Sequence, residues 1–339
     1  METIKTYGPT LKSFYYHKSL PSDLENMKGL VLILHGIEDH GGRYSYVAHE
    51  LNKHGYGVYA IDHIGHGLSF SHPNEQGDWK AKDFEKCALN AYYLATEMKT
   101  AHKELPLFVL GHDFGGYFAQ YMMEKHFSVL DGVILSGCGK NNARQYAIYL
   151  DTIVKKKMFP DRNRSKQIFE RRTAHLNGPF KPLRTTYDWI SSDPEEVDKF
   201  IIDPLSGFIG TIGFYHEYYS NLIRIPEFLK FRDLDRDFPM LFIGGAQDSL
   251  THKGKDIKKL KRLYKGKGFT NLEFKLYDGA RHDVFFDYAK DDAIRDVVNF
   301  LNINCGYERI ASDSIVVEDE ETKQGSDENP YLLKNDLNF

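Results

Sequence analysis

Short runs of consecutive apolar residues, each closed by glycine or a polar turn, recur along this chain. Gly29–Gly36 (GLVLILHG) is apolar throughout and ends in glycine, the pattern of a strand buried on both faces of a parallel sheet. Ser45–His54 reads as a helix stopped by Gly55, and Gly57–Asp62 (GVYAID) as a second buried strand. Asp83–Met98 reads as helical and Leu107–Leu110 (LFVL) as a third strand. GHDFGG follows that strand, with a helix through about Lys125, and Gly132–Ser136 (GVILS) is a fourth strand. The rhythm resumes late, with strands at Pro239–Gly244 and Leu272–Tyr277 and a helix over Ala289–Asn302. Strand–helix alternation of this kind predicts an α/β fold, a mostly parallel, doubly wound sheet.

Two segments break the rhythm. Residues 138–236 contain helical stretches and loops without the alternation, and read as a helical cap inserted over the C-terminal edge of the sheet. The core is then expected in two parts, 1–137 and 237–305. The insertion is basic near its start, with eight Lys or Arg between Lys155 and Arg172, which reads first as a solvated helix face. Residues 306–339 change character. Seven acidic residues and one lysine lie between Asp313 and Glu328, the composition of a disordered tail.

Composition narrows the class. At 339 residues, 41% hydrophobic and 27% charged, the chain has ordinary globular usage, which excludes wholesale disorder, collagen-like repeats and a multi-pass membrane protein. The near-balanced net charge of −4 argues against nucleic acid as the main partner. Three cysteines do not make a disulfide framework and fit a reducing compartment. The N-terminus has no apolar h-region and no run reaches the roughly 18 residues of a membrane span, so a soluble, cytoplasmic protein is expected.

Chemistry concentrates at the ends of the predicted strands. Gly111-His112-Asp113-Phe114-Gly115 leaves a buried strand and opens a helix, the context of a sharp turn that lifts its central side chain above the sheet. That centre is usually Ser and here is Asp113. The loop after an earlier strand, His35-Gly36-Ile37, is placed to give one backbone N–H of an oxyanion hole, and Phe114 the other. Asp248 follows the strand PMLFIGG and His282 follows LEFKLY. The chain order nucleophile, acid, histidine then gives Asp113, Asp248 and His282 as the catalytic set. No metal site is called for, because the histidines are scattered and His63 and His66 lie in a loop without a carboxylate at ligand spacing. No cofactor is implied either.

HGIEDHGGRY (His35–Tyr44), DHIGHGLS (Asp62–Ser69), GHDFGG, GGAQDSL and GARHD together resemble the monoacylglycerol lipase-like, or lysophospholipase, branch of the α/β-hydrolases. The likeness runs over roughly residues 10–303 and includes Phe180–Phe208 in the insertion. It implies an α/β-hydrolase fold, hydrolysis of carboxylic lipid esters, Ile37 and Phe114 as oxyanion donors, and Asp248 and His282 as acid and base. Small-molecule or lipid ester is the implied substrate, with peripheral contact to a lipid surface through the cap. Tyr187, Trp189, Phe208, Phe214 and Tyr215 are candidates to line an acyl pocket, or alternatively to form the core of the cap.

The departure from the branch is Asp113. A carboxylate attacking an ester would yield a mixed anhydride, and it has no proton for a base to remove. Two other α/β-hydrolase groups, epoxide hydrolases and haloalkane dehalogenases, place Asp in this turn and form an alkyl-enzyme ester that His-activated water cleaves. An epoxide hydrolase needs a cap donor, for which Tyr215, Tyr218 and Tyr219 are candidates. Phe114 lacks the indole N–H with which a dehalogenase holds halide. A third reading is a catalytically silent ligand-binding protein. With Asp113 and Asp248 flanking it, His282 is expected to favour its imidazolium form.

Overall fold

The computed structural model describes residues 1–10, 13–225 and 230–310, and Met1–Arg309 form one compact unit. The acidic run between Asp313 and Glu328 lies outside the described residues. Eight strands make one sheet: β1 (Glu2–Tyr7), β2 (Ser13–Ser19), β3 (Gly29–Leu34), β4 (Tyr56–Ile61), β5 (Leu107–His112), β6 (Gly132–Ser136), β7 (Met240–Gly245) and β8 (Leu272–Tyr277). Their order is β1-β2-β4-β3-β5-β6-β7-β8. β1 and β2 pair antiparallel, β2 pairs antiparallel with β4, and the other neighbours are parallel. Every residue of β3, β4, β5, β6 and β7 is buried, which is why these strands read as unbroken apolar runs.

Helices α1 (Ser45–Lys53), α2 (Asp83–Ala101), α3 (Phe114–Lys125), α8 (Lys255–Gly266) and α9 (Lys290–Asn304) connect and flank these strands. Between β6 and β7 the alternation gives way to α4 (Ala143–Met158), α5 (Lys166–Thr173), α6 (Pro194–Ile202) and α7 (Ile212–Arg224). Their starts are capped as the sequence dictates. Asn142 and Gln145 form a reciprocal capping box at α4, and Ser165, Asp193 and Thr211 cap α5, α6 and α7 by side-chain oxygen. A buried aromatic cluster, with Trp79, Phe84, Phe114, Phe118 and Phe214 at its centre, joins α7 to α2 and α3.

The hairpin β1–β2 and helix α8 went unread in the hydropathic pattern. β1 alternates exposed and half-buried positions at the sheet edge, so no apolar run marks it. α8 is lysine-rich, and Ile257, Leu260 and Tyr264, with the partly buried Leu263, carry its apolar stripe. The basic run of the insertion is largely ion-paired: Lys155 and Arg171 meet Asp151, Lys156 meets Asp161, and Arg162 meets Asp78. Arg172 departs from the expected solvated face and turns inward to the buried Glu38.

Candidate active site

The turn between β5 and α3 holds Asp113 at φ 46 and ψ −112, a conformation that L-residues rarely adopt and that costs roughly 1–3 kcal/mol. The flanking glycines make it feasible. A Cβ at Gly115 would lie 1.8 Å from the Leu34 carbonyl oxygen, and one at Gly111 would lie 2.5 Å from that of Gly115. With no side chain at either position, the turn packs directly on the end of β3. The Asp113 side chain then projects toward the loop that follows β3.

There the Ile37 N–H donates to Asp113 Oδ2 at 3.1 Å. Asp113 Oδ1 lies 3.9 Å from His282 Nε2. On the far side of the ring, His282 Nδ1 donates to Asp248 Oδ2 at 3.1 Å. Asp248 is fully buried and fixed by the Leu250 N–H and the Thr251 hydroxyl, each at 2.8 Å. The Phe114 amide opens α3, where no intrahelical acceptor exists, while its ring packs on Trp79 and Tyr218. The five residues singled out in sequence thus converge on one point.

Burial alone pushes the His282 pKa down. The charge of Asp248, its hydrogen bond, and then the charges of Asp113 and Asp283 outweigh that effect and raise it to about 9. The imidazolium is therefore the form present at neutral pH, and a protonated His282 accepts no proton.

A second layer of buried charge surrounds this set, and sequence reasoning missed it. Asp283 accepts from His112 Nε2 at 3.0 Å and from Arg43 at 3.4 Å, and Arg43 also bonds Asp39 at 2.9 Å. Burial opposes ionisation of Asp283, but the bond and charge of His112 and the charge of Arg43 hold its carboxyl well below the usual range. Glu38, in the left-handed region at φ 57, pairs with Arg172 and accepts from the Tyr215 hydroxyl at 3.1 Å. The signal for part of this layer was present: HGIEDHGGRY puts Glu38, Asp39, His40 and Arg43 in a loop leaving a fully buried strand.

The aromatic candidates divide. Tyr187 and Trp189 line the cleft beside Asp113, and the Trp189 ring lies 5.2 Å from that of His282. Phe208 and Phe214 stand apart from the cleft. They pack on His66, and Phe214 also on Trp79, so they belong to the core rather than to a pocket wall. Tyr215 acts through its bond to Glu38. Of the three tyrosines considered as oxygen donors, Tyr218 lines a recess shared with Asp113 and Tyr117. The cleft at Asp113, walled by Ile37, Glu38, Arg172, Trp189 and His282, has about 20 Å³ of free space, room for about one water.

A mostly parallel sheet, with a strained turn after β5, a carboxylate after β7 and a histidine bonded to it after β8, defines an α/β-hydrolase. Residues 25–289 match the family model described as serine aminopeptidase, S33, and the chain belongs to that family. A monoglyceride lipase homolog of monkeypox virus is 24% identical over 289 residues, spanning 81% of this chain and 89% of its own length. A monoacylglycerol lipase of Mycolicibacterium smegmatis is 24% identical over 283 residues, spanning 81% of this chain and 88% of its own length. Among solved structures, a thermostable carboxyl esterase from Bacillus coagulans superposes with a TM-score of 0.82 at 22% identity, covering 90% of this chain and 98% of its own. A soluble variant of monoglyceride lipase from Saccharomyces cerevisiae gives 0.69 at 20% identity, covering 86% of this chain and 92% of its own. The structural likenesses show the fold, and the family match places the chain among the S33 hydrolases.

Proposed function

We propose that this chain carries the ester-hydrolysing apparatus of a monoacylglycerol lipase-like enzyme with its nucleophile replaced, so that as it stands it binds lipid esters without turning them over. The observation that carries the reading is the seat of Asp113. Its carboxylate takes the hydrogen bond of Ile37, the donor that would stabilise a tetrahedral oxyanion, and sits beside a histidine still oriented by Asp248. An acylating nucleophile here must lose a proton to His282 Nε2 as it attacks the ester carbonyl. Asp113 has none to lose, and its charge helps keep His282 protonated.

Lipid as the substrate class is supported by the insertion. Tyr146, Leu150, Val154 and Met158 recur every four residues along α4, each 42–67% exposed, and Phe159 follows at 48%. Lys155, Lys156 and Lys157 lie along the same helix. An apolar stripe beside lysines fits the headgroup boundary of a membrane.

The test is hydrolysis of a short chromogenic ester and a monoacylglycerol by the chain and by Asp113→Ser, side by side. The expected result is turnover by the variant on the order of 100-fold or more above the parent. Equal, background-level rates in a folded variant contradict the reading. A second reading is supported by the split roles of the carboxylate oxygens. Oδ2 is held by Ile37 and Oδ1 faces His282, the division that displacement at an sp³ carbon and later hydrolysis of the alkyl ester require. A mass increase on Asp113 after treatment with an epoxide or alkyl halide selects that reading.

A further inference from the structure

Behind the oxyanion loop, on the side of the sheet edge, three side chains far apart in sequence come together. His17 projects from β2, His40 from the loop after β3, and Asp62 from the end of β4. One ring nitrogen of each histidine and one oxygen of Asp62 all lie within 4.8 Å of one another. His17 Nε2 lies 3.3 Å from Asp62 Oδ2. That separation is long for a charge-assisted hydrogen bond. It matches the ~3.3 Å between two ligands that share a tetrahedral ion with arms of about 2.0–2.1 Å.

The outer contacts are those of ligands already aimed. His17 Nδ1 bonds the Thr3 hydroxyl at 3.0 Å. His40 Nε2 donates to Asp203 Oδ2 at 2.7 Å, which leaves Nδ1 as its donor to an ion. Histidine ligands characteristically give their second nitrogen to a carboxylate or other oxygen in this way, which fixes the tautomer. The Asp62 carboxylate is held by the Gly41 and Leu68 amides, each at 2.8 Å. At Gly42 a Cβ would lie 3.0 Å from His40 Nδ1 and 3.5 Å from His17 Cε1, so a side chain there would crowd both rings. His17 and Asp62 are buried, and the His40 side chain is 11% exposed.

We propose that His17 Nε2, His40 Nδ1 and Asp62 Oδ2 bind a divalent first-row transition metal, with zinc the ion that two imidazoles and a carboxylate suit best. The ion clamps β2, the end of β4 and the loop that presents Ile37, and through Asp203 it reaches the helical insertion. It lies outside the set formed by Asp113, Asp248 and His282, so it holds whether or not the chain hydrolyses esters.

The test uses the full chain, stripped with chelator and titrated with zinc against a chromogenic zinc indicator. One equivalent bound in the micromolar range or tighter is expected, with the thermal midpoint raised by roughly 5 °C at ~100-fold excess over Kd. His17→Gln and His40→Gln should each weaken binding at least tenfold while circular dichroism stays unchanged. A second cluster, His112, His282 and Asp283, gives the contrasting outcome. Binding lost in His282→Gln but kept in His17→Gln overturns the proposal, as does no saturable binding. Should the His17 and His40 variants not fold, anomalous diffraction at the zinc edge decides. A peak between His17 and His40 supports the site, and a peak elsewhere or none overturns it.

Discussion

Asp113 and His282 interact through charge at the candidate site. The folded-state pKa of His282 is raised from 6.5 to about 9, against burial, by Asp248 first and Asp113 next among the charges. A raised histidine contributes stability that is complete below its unfolded pKa and is lost as pH rises through the folded one. Stability from this group therefore falls between pH 6.5 and about 9. Asp113→Ser removes one of the two flanking carboxylates, so NMR titration should place His282 lower in the variant, with a smaller loss of stability over that window. An unchanged or higher value would mean that Asp113 does not act on the ring. The shift also restores a neutral imidazole nearer physiological pH, the form a general base needs.

Among the elements, the join between the loop after β3 and the insertion rests on buried charge. Arg172 of α5 meets Glu38, and the two side chains are 5% and 2% exposed. Removing one partner of such a pair strands the other, at a cost of about 3–5 kcal/mol. Arg172→Ala should lower unfolding stability by that order in urea denaturation, and Glu38→Gln with Arg172→Met should recover most of it. A loss below 1 kcal/mol in the single variant would show that the pair does not hold the join. Sequence made the strands legible where burial was two-sided, and β8 as well although it is only half-buried. β6 and β8 were read to the residue, and β3, β4, β5 and β7 to within a few positions. Each candidate site residue was legible because it follows a strand or opens a helix. Arg172 was not, since its partner lies 134 residues away and a charged side chain in a basic run carries no mark of burial. His17, His40 and Asp62 escaped for the same reason, because their meeting depends on β2 folding back beside β4.

At the scale of the molecule, a narrow cleft of about 20 Å³ lies beneath an insertion whose outer helix exposes Leu150 and Met158 at 61% and 67%. Among the described residues no helix is long and apolar enough to cross a membrane. Leu150→Asp with Met158→Asp should reduce partition onto anionic phospholipid vesicles by roughly tenfold, about 1.4 kcal/mol, in a flotation assay. Unaltered flotation would remove α4 as the contact. The central claim is that a complete acylation apparatus surrounds one altered side chain. The most direct test is treatment of Asp113→Ser and the parent chain with a fluorophosphonate, read by intact mass. The account predicts one adduct on the serine hydroxyl of the variant, abolished by adding His282→Ala, and none on the parent. A folded Asp113→Ser protein that stays unlabelled would contradict it.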